Sequence, residues 1–296
     1  MFHGTITALV TPFRNGRIDE DAFRAHLDRQ IEAGVQAVVP AGTTGEAATL
    51  SHGEHKKLIE IAVRHVAGRV PVIAGTGSNN TAESIELTQS AKSLGADAAL
   101  LISPYYNKPT QEGIYQHYKA VADAVHLPQI VYNVPGRTNS NILPETVGRL
   151  SEISNIVGIK DATANMEQLN ATIDACAGRI DFFSGDDATV LPFMALGGAG
   201  VISVVANVAP QAMLRLTNAA AAGDWDEARR AQMELRELNR MMFVQSNPIP
   251  VKAACAMLGW MQRDIRLPLT LLPDESCDQL HATLSEFGLK PERTRP

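Results

Sequence analysis

The chain has 296 residues, 45% hydrophobic and 20% charged, with a net charge of −6. That length holds one large domain or two modest ones with a sizeable core, and excludes a disordered, collagenous or low-complexity chain. No basic run exceeds Lys56-Lys57 or Arg229-Arg230, which argues against a general nucleic-acid or membrane-surface binder.

Eight β-type runs recur at intervals of roughly 20 to 35 residues. They are Gly4–Pro12, Ala37–Gly42, Val70–Gly77, Ala98–Tyr105, Gln129–Pro135, Ile156–Asp161, Asp181–Asp186 and Gly200–Asn207. Most are continuously apolar, as parallel strands buried on both faces are. The segments between them predict helices. Asp19–Ala33 puts Phe23, Leu27 and Ile31 on one face. Ser51–Val66 opens with a capping-box pair, Ser51 and Glu54. Thr81–Leu94, Gln111–Ala124, Pro144–Leu150 and Met166–Ala175 read similarly. Eight β/α units predict a (β/α)8 TIM barrel over residues 1–223, with an open doubly wound sheet as the alternative. From Asp224 to Leu272 the pattern is helical without a strand candidate, and Leu235, Leu238 and Met242 form an apolar stripe. Residues 224–296 therefore predict an appended C-terminal helical region, fraying from Lys290 to Pro296.

Three cysteines, Cys176, Cys255 and Cys277, show no CxxC and no repeated spacing. They predict neither a disulfide framework nor a zinc site, and suit a reducing cytoplasm. The first residues lack a basic stretch followed by an apolar run, so no signal peptide is expected. No apolar segment approaches the length that spans a bilayer.

In such a barrel the functional groups sit at the C-terminal ends of the strands. Strand two ends in Gly42-Thr43-Thr44-Gly45-Glu46, a turn that can offer backbone N–H groups and hydroxyls to a small carboxylate, or can simply be capped by its own threonines. Strand three ends in Gly75-Thr76-Gly77-Ser78-Asn79-Asn80. It lacks the third glycine of a dinucleotide site. Strand four ends with Tyr105 and Tyr106 between Pro104 and Pro109, a pattern typical of packing or interface residues. Strand five carries Tyr132 inside an apolar run and is followed by Arg137, whose planar fork suits a carboxylate.

Strand six, Val157-Gly158-Ile159-Lys160-Asp161, carries the sharpest signal. Lysine is rarely buried without a reason. Pointing inward, Lys160 loses hydration, its pKa falls and the neutral amine becomes a nucleophile toward ketones. Pairing with a carboxylate is the alternative, but Asp161 points to the opposite face. Gly185 after strand seven and the Gly197–Gly200 run before strand eight suit a phosphate site or a close backbone approach to a ligand. His52-Gly53-Glu54-His55 is not HExxH, a third metal ligand is not apparent, and no GxSxG is present.

Taken together, Gly42–Glu46, Tyr105-Tyr106-Asn107, Tyr132–Thr138 and Gly158–Asp161 resemble the dihydrodipicolinate synthase family. This family lies within the pyruvate-dependent class I aldolase superfamily that includes N-acetylneuraminate lyase. The resemblance runs from Gly4 to about Leu272, in order and with similar spacing. It implies a lyase that condenses pyruvate with L-aspartate-4-semialdehyde on the diaminopimelate route to lysine, without a metal or other cofactor. It further implies that Lys160 forms the Schiff base and Tyr132 moves protons with Thr43 and Tyr106. Thr44 would hold the pyruvate carboxylate near Gly185 and Ile202, and Arg137 the semialdehyde carboxylate. Tyr106 would enter a neighbouring subunit's site, in a homotetramer. L-Lysine would act as effector at His52, His55, Asn79, Glu83 and Tyr105, although Ala47 stands where many members carry Ser. A sugar-acid lyase would share Lys160, Tyr132 and Thr44, but its pocket needs hydroxyl-binding groups in place of Arg137. A catalytically silent barrel is a third possibility.

Overall fold

A computed structural model of the chain describes residues 1–292. The expected fraying of Lys290–Pro296 lies partly outside the described residues. The eight predicted strands form; Ile156–Asp161 has the bounds of its run, and the other seven are shorter than theirs. They are β1 (Gly4–Ala8), β2 (Ala37–Val39), β3 (Ile73–Gly75), β4 (Ala98–Ile102), β5 (Gln129–Asn133), β6 (Ile156–Asp161), β7 (Asp181–Ser184) and β8 (Gly200–Ser203). All pairings are parallel, in the order β2-β1-β8-β7-β6-β5-β4-β3. A parallel bridge between Val38 and Val72 joins the two ends. The sheet therefore closes into a (β/α)8 barrel, and the open-sheet alternative is excluded.

The strands are largely apolar because both faces are covered. Ile6, Ile73, Leu100, Ile130, Phe183 and Ile202 belong to the inner core. Outward-facing residues such as Val131 and Ile159 pack under the helices. The first helices are α1 (Glu20–Ala33), α2 (His52–Val66), α3 (Thr81–Leu94) and α4 (Gln111–Ala124). Local chemistry sets where they start: the side chains of Asp19, Ser51, Asn80 and Thr110 each accept a hydrogen bond from a first-turn N–H. At α2 the Ser51–Glu54 capping box is complete. After them come α5 (Pro144–Leu150), α6 (Met166–Cys176), α7 (Val190–Ala195) and α8 (Pro210–Ala221).

Beyond Gly223 follow α9 (Trp225–Glu234), α10 (Arg236–Met242), α11 (Ile249–Met257) and α12 (Asp274–Glu286). Leu235, Leu238 and Met242 are buried, and they share one core cluster with Val204, Val205 and Val208 from the end of β8. The C-terminal helices thus pack against the barrel beside the C-terminal ends of its strands. The helical patterning expected from Asp224 to Leu272 is interrupted at residues 243–248 and ends at Met257. The stretch to Pro273 is irregular, and Arg263 holds it by donating to the Leu272 carbonyl at 2.7 Å. No helix among the described residues is long and apolar enough to cross a membrane.

Candidate active site

Lys160 is the penultimate residue of β6. Its strand neighbour Ile159 packs outward, so alternation turns Lys160 into the barrel. It is 5% exposed, and Asp161 on the other face accepts instead from the Thr163 backbone N–H (2.8 Å) and hydroxyl (2.6 Å). Burial pushes the Lys160 amine down to about 8; the buried Asp187 carboxylate acts against the shift and the Arg137 guanidinium with it. Roughly one molecule in ten then carries the free amine at pH 7, against roughly one in three thousand at the ordinary value.

Tyr132 is the register partner of Lys160 on β5, and the Lys160 Nζ lies 4.4 Å from its ring centroid. Burial pushes the phenol up to about 12, opposed by the charge of Arg137 and by a hydrogen bond with the Thr43 side chain. Tyr132 is therefore neutral at ordinary pH and within hydrogen-bond reach of a second hydroxyl.

Gly185 follows β7, and its N–H donates to the Asp161 carbonyl at 2.6 Å. A Cβ there would meet Ala162 Cβ at 2.7 Å and Lys160 Cε at 3.0 Å. The glycine leaves room beside the lysine stem, which favours the reading of close backbone approach. Ile202 of β8 lies in the same inner cluster as Tyr132.

Thr44 is buried, and its hydroxyl accepts from Asn247 Nδ2 at 3.0 Å. The Asn247 carbonyl accepts from Arg137 Nη2 at 3.1 Å. Arg137 itself is exposed, on the short helix Pro135–Thr138. One rim thus gathers Lys160, Tyr132, Thr43, Thr44, Gly185 and Ile202, with Arg137 at its outer edge.

Tyr106 stands apart. It is 89% exposed with φ 73°, and its N–H reaches the Thr138 carbonyl at 3.4 Å. Within one chain it does not join the Tyr132–Thr43 pair. Four of the five residues expected at an effector site form two linked pairs. His52 Nε2 meets Glu83 Oε1 at 2.7 Å, and Asn79 Nδ2 donates to the Tyr105 carbonyl at 3.1 Å. His55 is buried, with Nε2 on the Gly75 carbonyl and Nδ1 without a partner. Among the described residues no cluster of His, Cys, Asp or Glu could hold a metal ion.

Asn247-Pro248 and Lys252 resemble a family segment near the active-site mouth, but two sets of contacts at the rim escaped the sequence reading. Asp187 is buried, with Oδ1 accepting from the Ser203 hydroxyl at 2.5 Å and Oδ2 from the Val204 and Val205 N–H groups. Desolvation raises its carboxyl to about 6. Glu46 and Lys252 form an ion pair of 2.5 Å with 0% and 4% side-chain exposure. Lys252 carried the same signal as Lys160, a lysine in an apolar run, but on a helix.

The sequence model of the Dihydrodipicolinate synthetase family matches residues 1–287. The chain belongs to that family. Among curated members it is 55% identical over 289 residues to the 4-hydroxy-tetrahydrodipicolinate synthase of Geotalea uraniireducens (strain Rf4), covering 98% of this chain and all of that one. Among solved members, the chloride-inhibited dihydrodipicolinate synthase of Acinetobacter baumannii in complex with pyruvate superposes with a TM-score of 0.96 at 48% identity, over 98% of this chain and 100% of that one. The lysine-bound enzyme of Cyanidioschyzon merolae gives 0.95 at 41% identity, over 97% of this chain and 99% of that one. At these identities the family likeness extends to the whole barrel and its C-terminal helices, not only to the rim.

Proposed function

We propose that this rim carries out the synthase reaction of the family, condensing pyruvate with L-aspartate-4-semialdehyde to 4-hydroxy-tetrahydrodipicolinate in lysine biosynthesis. The observation that carries the assignment is the buried Lys160, whose amine is held at about 8 against the Tyr132 ring. The names of the relatives and the pyruvate in the Acinetobacter structure support it. They do not favour a sugar-acid lyase.

The neutral Lys160 amine attacks the pyruvate ketone, and loss of water leaves an iminium. That cation accepts the electron pair when a methyl proton departs, so no metal is required to stabilise a carbanion. The resulting enamine attacks the aldehyde carbon, whose oxygen takes up a proton to become the hydroxyl. The amino group of the semialdehyde unit then adds to the imine carbon, closes a six-membered ring and releases Lys160. Tyr132 passes protons in these steps, with Thr43 and a Tyr106 hydroxyl as the relay. Thr44 holds the pyruvate carboxylate beside Gly185 and Ile202, and Arg137 binds the carboxylate of the second substrate.

Tyr106 acts from a neighbouring subunit in this reading; its 89% exposure on a Pro-bounded loop supports that. The minimum catalytic unit is then a dimer, within a cytoplasmic homotetramer. L-Lysine binds the cluster of His52, His55, Asn79, Glu83 and Tyr105, by analogy with the lysine-bound relative. Activity with aspartate semialdehyde, and none with N-acetylmannosamine, tests the substrate assignment. The reverse preference would reject it.

A further inference from the structure

We infer that the buried Glu46–Lys252 ion pair is a positioning device for the Gly42–Glu46 turn, fixing Thr43 and Thr44 from the C-terminal helices. The inference rests on the reading of Thr44 as the partner of the pyruvate carboxylate.

The turn is closed by its own backbone. Gly45 and Ala47 donate to the Gly42 carbonyl at 3.1 and 3.2 Å, and Glu46 donates to the Thr43 carbonyl at 3.1 Å. Glu46 ends the turn in the left-handed region, at φ 56°, where a side chain rarely stays unless its surroundings hold it. Its carboxylate is the holder. Oε1 receives Lys252 Nζ of α11, and Oε2 receives the Arg266 N–H at 3.1 Å. Lys252 Nζ and the Arg266 guanidinium both lie over the Phe13 ring, at 4.3 and 4.2 Å. Arg266 also binds both carboxylate oxygens of Glu54 at the start of α2, at 2.5 and 2.9 Å, and the Thr49 carbonyl at 3.0 Å. The chain from Glu46 to Glu54 is thereby fastened to two C-terminal residues.

Asn247 adds a second fastening from the same segment as Lys252, directly to the Thr44 hydroxyl. Stability alone does not explain so buried a pair, because two well-packed apolar side chains usually serve as well. What the pair adds is direction. It fixes where the turn ends, and so where its two hydroxyls point.

The test compares steady-state kinetics and pyruvate–borohydride trapping for three variants and the parent. Glu46→Gln combined with Lys252→Met removes both charges at nearly constant length. It is expected to melt cooperatively, with the KM for pyruvate raised roughly tenfold or more, since small misplacements of binding groups are costly. Lys252→Arg, which keeps a cation opposite Glu46, is expected to retain most of the parental KM. A purely structural pair would lower the melting temperature and leave KM unchanged. Glu46→Asp decides the matter where the double variant does not fold. It keeps both charges, shortens the reach by one methylene, and is expected to raise the half-saturating pyruvate concentration for trapping. Folded variants with the parental KM overturn this inference alone. A parent that forms no pyruvate adduct overturns the aldolase reading and this inference with it.

Discussion

Lys160 and Tyr132 face each other across adjacent strands, with the amine nitrogen 4.4 Å from the ring centroid. The phenol covers the amine, and the Asp187 carboxylate offsets only part of the cost of burial. A lysine so placed titrates near neutrality. Adduct formation at subsaturating pyruvate should therefore rise with pH through an apparent pKa of about 8 and level off above it. Stopped samples reduced with borohydride across pH 6 to 10 give the profile. A rise that shows no plateau up to pH 10 would mean that the amine is not desolvated in solution.

Gly185→Ala should disable the site while leaving the barrel folded. The added Cβ meets Ala162 Cβ at 2.7 Å and Lys160 Cε at 3.0 Å, an overpacking that costs about 1–3 kcal/mol. The expected outcome is a melting temperature lowered by several degrees and a loss of pyruvate trapping out of proportion to it. Unchanged trapping would show that the rim yields easily there.

Tyr106→Phe should reduce turnover without changing the fold, because the side chain is 89% exposed in its own chain. If its hydroxyl serves a neighbour, mixed oligomers of Tyr106→Phe and Lys160→Ala contain some sites with both groups intact. Mixing the two weak variants after mild dissociation should then restore part of the rate. No recovery in verified mixed oligomers would place the relay within a single chain.

Acid should destabilise the protein between pH 6.5 and 4 through two buried histidines. Burial holds His26 and His117 down to about 4. In that window the unfolded chain takes up protons that the folded chain refuses, so stability is present above pH 6.5 and lost as pH falls. Each accounts for about 3 kcal/mol by pH 4. Asp187, raised to about 6, and Asp161, also raised by burial, act in the opposite direction, while the buried His55, lowered by desolvation, acts with the two histidines. His117→Gln should flatten the fall of melting temperature with pH across this window. An unaltered slope would show that His117 is not the titrating group.

Lysine at millimolar concentration should slow the rate at saturating pyruvate, and Glu83→Gln should weaken that effect. Glu83 is held by the hydroxyl of Ser78 and by His52, which keep its carboxylate below the usual range despite partial burial. An ammonium group can replace His52 there. A flat lysine titration would remove the effector.

The sequence made the barrel legible because its strands are buried on both faces and therefore spell continuous apolar runs. The helix starts were legible because Asp19, Ser51, Asn80 and Thr110 are caps that act on residues two or three along the chain. Lys160 stood out as a cation in an apolar strand. The six-residue α7, which carries Pro192, is too short to show a period. Glu46 and Lys252 are 206 residues apart; no local pattern links them, and only the packing of α11 against the rim brings them together. The burial of Asp187 is tertiary in the same way. Tyr106 stands out in the sequence as one of a tyrosine pair, but the relay role proposed for its hydroxyl needs a second copy of the chain, which no local pattern reveals.

The central claim is that Lys160 is the nucleophile. Intact mass after incubation with pyruvate and borohydride, followed by peptide mapping, tests it most directly. The account predicts a gain of one reduced pyruvate per chain, located on Lys160 and absent from Lys160→Ala. An unmodified chain, or an adduct that maps to another lysine, would contradict it.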